Sequence, residues 1–223
     1  MKQALLGLGV ALAIASPARA QDAVKVDPKH YRTVVENERV RVLKASYAAA
    51  DKGVMHEHPD TFVVFLTDAK VRFGLADGST TPEATRKAGD AMVDKAGKHA
   101  PENLGSAAME AFVVEVKPGA KAPAPVAGAV PPASGAGVTR TPIVSGPHGE
   151  AVLLKTEASF EEPAGSTHDY DAVVVPLTDP GATLAMGGKT VTMKKGEAYL
   201  IPRGAPHGVK ATAPGSTMVV YVK

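Results

Sequence analysis

The 223-residue sequence contains no cysteine and no tryptophan, and its aromatic residues amount to only 4%. Without cysteine the chain can form neither disulfides nor thiolate–metal bonds, and it has no cysteine nucleophile. So few aromatic rings leave little surface on which sugars or bases could stack. A marked excess of charge of one sign is also missing, because 25 basic residues face 23 acidic ones. The sequence therefore argues against a disulfide-stabilised scaffold and against nucleic acid as a partner.

An apolar run long enough to cross a bilayer comfortably is missing as well. Leu5 to Ala15 is a short apolar stretch that follows Lys2 and precedes the small-residue sequence Ala18-Arg19-Ala20. This arrangement is typical of a secretory signal peptide, so we predict that residues 1–20 are removed and that the mature chain starts at Gln21. We expect export, to the bacterial periplasm, and no membrane contact after cleavage. A retained membrane anchor is the alternative.

The rest of the sequence consists of short strand patterns separated by turns. Apolar runs such as Phe62–Leu66 and Val173–Val175 are bounded by Gly- and Asp-rich turns. Many short, evenly spaced strands are typical of a small antiparallel barrel or jelly roll. The strand–turn–strand unit occurs twice, which indicates a duplicated domain. Five of the seven histidines lie at corresponding places of the two copies: His56, His58, His99, His168 and His207.

Composition divides the chain into two halves. Residues 118–142 are rich in Pro, Gly and Ala, and such a segment cannot bury enough apolar area to fold alone. We therefore predict an N-terminal domain at residues 22–117, a linker at 118–142 and a C-terminal domain at 143–223. A flap over one of the barrels is the alternative role of the linker. Among the aliphatic strand residues, we expect the following to point into a barrel: Val42, Val64, Leu66 and Val113.

A His-x-His pair begins the strand pattern of the first copy. His56 and His58 lie two residues apart, so on a strand both imidazoles project from one face. His99 comes from a distant turn and would complete a set of three nitrogen donors for Fe, Mn, Zn, Ni or Cu. Asp60 has the same strand parity and is a candidate fourth ligand, or a hydrogen-bond acceptor for one of the histidines. Any one of these histidines alone would be read as an ordinary core or surface residue, but the three together favour a metal site.

These motifs resemble those of the cupin superfamily, and the two copies resemble a bicupin. Most of the family's second motif stands in the second copy as Gly196, Pro202, Gly204 and His207, and part of it in the first copy as Gly89, Gly97, His99 and Asn103. The resemblance implies an all-β chain of two antiparallel cupin-type barrels (double-stranded β-helices, or jelly rolls), with His56, His58 and His99 as metal ligands. The family's glutamate ligand would fall at Phe62 and Ala172, neither of which can bind a metal. Cupins include dioxygenases, isomerases, decarboxylases, storage proteins and sensors, so the resemblance implies no single function.

The second copy carries Ser166, His168 and His207 at the three ligand positions. Because a neutral hydroxyl is a weak donor, we expect this site to be degenerate and the first barrel to bind about one divalent transition metal per chain. His30 and His148 lie outside both motifs, and we expect them at the surface.

Three functions remain open, and no catalytic residue is assigned. The first is a metal-dependent enzyme, oxygenase- or isomerase-like, that acts on a small molecule. The second is a non-catalytic periplasmic protein that binds or senses a small ligand or a metal. The third is a structural bicupin with vestigial sites. The sequence leaves the oligomeric state open as well.

Overall fold

A computed structural model describes residues 21–119, 125–129, 135–179 and 181–223 of the chain. Regular structure within these ranges is almost entirely strand, apart from one four-residue helix, α1 (Ala23–Val26). The segment predicted as a signal peptide and much of the predicted linker lie outside the described residues. Over the described ranges we find no helix with the length and apolar character needed to cross a membrane.

The first barrel contains nine strands in two sheets. They are β1 (Tyr31–Glu36), β2 (Val40–Tyr47), β3 (His56–His58), β4 (Thr61–Phe65), β5 (Ala69–Leu75), β6 (Ala84–Arg86), β7 (Ala91–Asp94), β8 (Gly97–Asn103) and β9 (Met109–Val116). One sheet has the order β1-β2-β9-β4-β7 and the other the order β3-β8-β5-β6, with antiparallel pairing throughout.

The second barrel repeats this plan strand by strand. It contains β10 (Val138–Gly146), β11 (Gly149–Thr156), β12 (Glu161–Ser166), β13 (Asp171–Pro176), β14 (Thr183–Met186), β15 (Lys189–Thr192), β16 (Tyr199–Ile201), β17 (His207–Lys210) and β18 (Gly215–Val222). Its sheets have the orders β10-β11-β18-β13-β16 and β12-β17-β14-β15. Both orders equal those of the first barrel with every strand number raised by nine, as expected for a duplicated domain. The predicted all-β fold with two antiparallel barrels is confirmed. β10 begins at Val138, within the segment predicted as linker.

The two five-stranded sheets pack against each other through one shared apolar core. Phe62 and Val64 of the first barrel and Val173 and Val175 of the second are all at most 2% exposed in this core. The other face of each sheet lines its own barrel. Strands that are buried on both faces appear in the sequence as continuous apolar runs, and all six residues of β13 are indeed buried.

The contact between the barrels corrects one prediction about side-chain direction. Val42 and Val64 point toward the other barrel and Leu66 packs against the same shared core, so the expectation that they face the barrel interior was wrong. Val113 does line the interior cavity. The error follows from the continuous apolar runs, because a strand that is apolar on both faces gives no signal about which face is which.

His30 also departs from its prediction, because it is buried (5% exposed) rather than at the surface. Its Nδ1 lies 2.7 Å from Asp27 Oδ1, its Nε2 lies 3.0 Å from Asp51 Oδ2, and its ring stacks on Tyr47. Two carboxylates offset the cost of burying the imidazole. His148 is 41% exposed as expected, and its Nε2 lies 2.8 Å from Asp60 Oδ2 across the contact between the barrels.

Candidate metal sites

The first barrel brings the three predicted histidines together in its interior. His56 on β3 lies opposite His99 on β8, and His58 projects from the same face of β3 two residues later. The ring centroids of His58 and His99 are 4.5 Å apart, those of His56 and His99 are 5.0 Å apart, and those of His56 and His58 are 6.3 Å apart. The period-two argument therefore placed these side chains correctly.

The carboxylate of this cluster is Asp94 at the end of β7, not Asp60. Asp94 Oδ2 lies 3.6 Å from His58 Nε2 and 3.4 Å from His99 Nδ1. The Asp60 carboxylate instead accepts a hydrogen bond from the Ala96 backbone N–H and contacts His148. The ligand atoms of His58, Asp94 and His99 all lie within 4.8 Å of one another, which one cation could bridge.

Backbone carbonyls fix the orientation of two of these histidines. His56 Nδ1 lies 2.9 Å from the Val54 carbonyl oxygen, and His58 Nδ1 lies 2.8 Å from that of Pro59. Because a carbonyl can only accept a hydrogen bond, each Nδ1 must carry the proton, and each Nε2 of a neutral ring keeps its lone pair. This is the usual way in which proteins orient a histidine toward a metal.

Burial holds two of the histidines in the protonation state that a metal needs, while it acts the other way on the carboxylate. Burial lowers the pKa of His56, and burial together with the neighbouring His58 and His56 lowers the pKa of His99 to about 3. Burial also raises the pKa of Asp94. At neutral pH the two imidazoles are therefore uncharged, which is the form that binds a metal.

The second barrel places Ser166, His168 and His207 at the equivalent positions. Ser166 lies opposite His207 across β12 and β17, just as His56 lies opposite His99. The rings of His168 and His207 are 4.7 Å apart. The Ser166 hydroxyl donates to the Pro163 carbonyl oxygen at 2.7 Å. Its proton is therefore committed to the backbone.

Glu162 is the functional residue that the sequence analysis missed in the second barrel. Its Oε1 lies 2.6 Å from His168 Nε2 and 3.5 Å from His207 Nε2, so two imidazoles and a carboxylate converge. The donor count that predicted a degenerate second site was therefore too low. Glu162 reaches His168 across an irregularity in the pairing of β12 with β17, so strand parity alone did not indicate it. It was overlooked because the family motif places its glutamate after the histidines, not before them.

The close approach of these buried atoms is compatible with a shared cation. Glu162 Oε1 and His207 Nε2 are both buried, and within the described ranges neither has a well-formed hydrogen bond. His207 Nδ1 donates to the Ala205 carbonyl oxygen at 2.9 Å, which again leaves Nε2 with its lone pair when the ring is neutral. Burial would raise the pKa of Glu162, but the imidazoles of His168 and His207 outweigh it and lower that pKa to about 2.

Comparison with known proteins rests on structure, since no family model and no curated protein matches the sequence. The chain is similar to salicylate 1,2-dioxygenase from Pseudaminobacter salicylatoxidans over 96% of this chain and 87% of that one (13% identity, TM-score 0.63). It is also similar to AerE from Microcystis aeruginosa over 87% of this chain and 97% of that one (14% identity, TM-score 0.62). A cupin 2 conserved barrel domain protein from Leptotrichia buccalis is similar over 86% of this chain and 88% of its own (13% identity, TM-score 0.57). The chain has a cupin fold. The resemblance drawn from the motifs is confirmed at the level of the fold.

Other matched structures include gentisate adducts of the same dioxygenase. At these identities the likeness establishes the fold alone. The chemistry of this chain depends on its own residues.

Proposed function

We propose that this protein is a metal-dependent cupin that binds a divalent transition metal in each barrel and acts on a small molecule. The observation that carries the proposal is the convergence, once in each barrel, of two imidazoles and one carboxylate at buried or half-buried positions. Two histidines and a carboxylate with open coordination positions are the donor set of non-haem ferrous oxygenases. Among Fe, Mn, Zn, Ni and Cu, this set favours Fe(II).

The residues divide into ligands and groups that orient them. In the first barrel His58, His99 and Asp94 would hold the metal, and His56 supplies a further donor in the same cavity. In the second barrel Glu162, His168 and His207 would hold it. A bound metal coordinates and polarises a small molecule at its open positions. The carbonyl partners of the Nδ1 atoms keep the rings in place, and the apolar barrel walls exclude water.

The structural neighbours support the oxygenase branch of this proposal. One of them is named as a dioxygenase and has been solved as gentisate adducts, so this fold can hold a small aromatic molecule. A specific observation favours the second candidate function, a protein that holds or senses metal without turnover. Each barrel cavity has a volume of only about 60 Å³, which is small for an organic substrate.

Elemental analysis of protein purified without a tag from its native compartment tests the proposal. We expect close to two equivalents of one transition metal per chain, with iron predominant. Oxygen consumption with a panel of small phenols and diols then separates the enzyme from the binding protein. Protein that emerges metal-free and cannot be reloaded would contradict both functions and leave the structural bicupin.

We also propose that the protein is exported, on the strength of the signal-like pattern in residues 1–20. Mass spectrometry of the protein from the producing cells should show a chain that starts at Gln21. A chain that retains Met1 would argue for the membrane-anchored alternative.

A further inference from the structure

One cross-strand row in the first barrel runs from the candidate metal site to Glu115, which also lines an outer cleft. Thr61 on β4 pairs with Asp94 on β7 and with Glu115 on β9, and Glu115 pairs in turn with Arg41 on β2. Residues that are directly opposite on neighbouring strands project from the same face of a sheet. Asp94, Thr61 and Glu115 all line the interior cavity. With strands about 4.8 Å apart, Glu115 lies roughly 10 Å along this row from Asp94.

Only one oxygen of the Glu115 carboxylate is satisfied. Its Oε2 accepts a hydrogen bond from Arg41 Nε at 2.5 Å, and Arg41 Nη1 lies 2.7 Å from Asp22 Oδ2. The Arg41 guanidinium therefore already serves two carboxylates. Glu115 is 2% exposed, and its Oε1 is buried with no hydrogen-bond partner in the part of the chain that the structure describes. A buried acceptor without a donor is costly, so this oxygen is suited to a donor that a ligand brings.

Glu115 stands at the boundary between two spaces. Glu115 and His58 line both the interior cavity and an outer cleft of about 780 Å³. A molecule that reached the metal site from this cleft would therefore meet both side chains. The cleft also has room for the part of a ligand that the small interior cavity cannot hold.

The protein charges around Glu115 disfavour an anionic group at the end of the ligand that lies away from the metal. The described residues of the interior wall include two carboxylates, Asp94 and Glu115, and neither lysine nor arginine. The lysines of the outer cleft are already paired, Lys117 with Glu36 at 2.7 Å and Lys98 with Glu57 at 3.7 Å. The third cation of the cleft, Arg41, is already shared between Glu115 and Asp22. A ligand carboxylate near Glu115 would therefore meet like charge, and the cations around it are already engaged with other carboxylates.

We infer that Glu115 determines specificity in the first barrel by accepting a hydrogen bond from a ligand hydroxyl or amine, so that the site selects neutral or cationic hydroxylated molecules over carboxylates. The inference rests on the proposed function, in which the metal holds the other end of the ligand. It names a substrate class that differs from salicylate and gentisate, which are both aromatic acids.

The second barrel lacks this feature. There the row runs from Ile201 through Ala172 and Tyr221 to Glu150, so a tyrosine occupies the position of Glu115 and an isoleucine that of Asp94. Selection against carboxylates is therefore a property of the first barrel only.

Calorimetric titration of the zinc-loaded mature protein with catechol and with salicylate tests the inference. Zinc is used because it does not oxidise catechol. We expect catechol to bind at least about ten-fold more tightly than salicylate, because one hydrogen bond to a charged acceptor accounts for about that ratio. Glu115→Gln should weaken catechol binding by about ten-fold or more and reduce the preference, and Glu150→Gln at the matched row of the second barrel should change neither.

The inference is overturned if the wild type binds catechol no more tightly than salicylate. It is also overturned if a folded Glu115→Gln protein keeps the full preference for catechol. If this variant fails to fold, the wild-type ratio decides alone. Metal analysis of the same samples separates the two proposals. If the protein retains metal but does not prefer catechol to salicylate, this inference alone is overturned. If the protein prefers catechol but cannot retain metal, the proposed function alone is overturned.

Discussion

Metal should be lost from the two barrels in separate steps when one ligand is removed at a time. His58→Ala removes a ligand of the first site, and His207→Ala removes one of the second. His148→Ala is a matched control, because this histidine is 41% exposed and belongs to neither cluster. We expect about two metals per chain in the wild type and in the control. His207→Ala should keep about one tightly bound metal, and His58→Ala should keep one tightly bound metal and a second, more weakly bound one.

The magnitude follows from the ligand count and from what surrounds each site. A good site contributes on the order of 10 kcal/mol, so one of three ligands is worth about 3 kcal/mol, or roughly a 100-fold change in Kd. His207 is 2% exposed, and the described residues offer no further imidazole beside it, so its loss should show the full effect. In the first barrel His56 faces His99 at 5.0 Å and can replace His58 in part. His58→Ala should therefore weaken binding by closer to ten-fold.

Competition against a chromophoric chelator gives both constants. Metal-free protein is reloaded with one metal, the free metal is buffered by the chelator, and elemental analysis checks the stoichiometry. If the wild type binds about one metal per chain and His207→Ala does not change that number, Glu162 is not a ligand. The sequence-based expectation of a single site would then hold. A value of two that falls to zero in either variant would show that the sites are not independent.

Three further outcomes follow from buried groups. Phe62→Ala should lower the free energy of unfolding by about 3–5 kcal/mol in urea titrations, because Phe62 is 2% exposed between the barrels. As a control, Val191→Ala should change the free energy of unfolding little, because Val191 is 42% exposed. His30→Ala should cost about 3–5 kcal/mol in the same assay. It removes the imidazole beside Oδ1 of the 3% exposed Asp27, and only the Val54 N–H is left to hydrogen-bond that carboxylate. Metal-free protein should lose stability as the pH falls from 6.5 toward 3, because the unfolded chain binds a proton at His99 that the folded protein, with its lowered pKa, does not. His99→Gln should flatten that pH dependence, and a slope that stays the same would contradict the assignment.

Local sequence was sufficient for every feature that depends on chain periodicity. The spacing of His56 and His58 put both rings on one face, because side chains alternate along any strand. The repeated unit around Ser166 and His168 predicted a second copy, and the two sheet topologies are indeed equal. His207 took the position of His99 because the same strand pairing recurs.

The carboxylates could not be chosen in this way. Asp60 was preferred over Asp94 because it is near His58 in sequence, yet Asp94 lies closer to the ligand atoms through its pairing with Thr61. Glu162 approaches His168 across an irregularity in the β12 register that no motif predicts.

Burial on both faces of a sheet was decided by the tertiary structure alone. The sequence shows that Val64 and Val113 are strand residues, but only the packing of one barrel on the other shows that Val64 faces the neighbour and Val113 the cavity. His30 is buried because two carboxylates from separate segments meet its ring. Glu115 gained its place on the wall of the cavity that holds the candidate metal site through pairings with strands far away in the chain. Such long-range register depends on how whole sheets pack, and local periodicity carries no information about it.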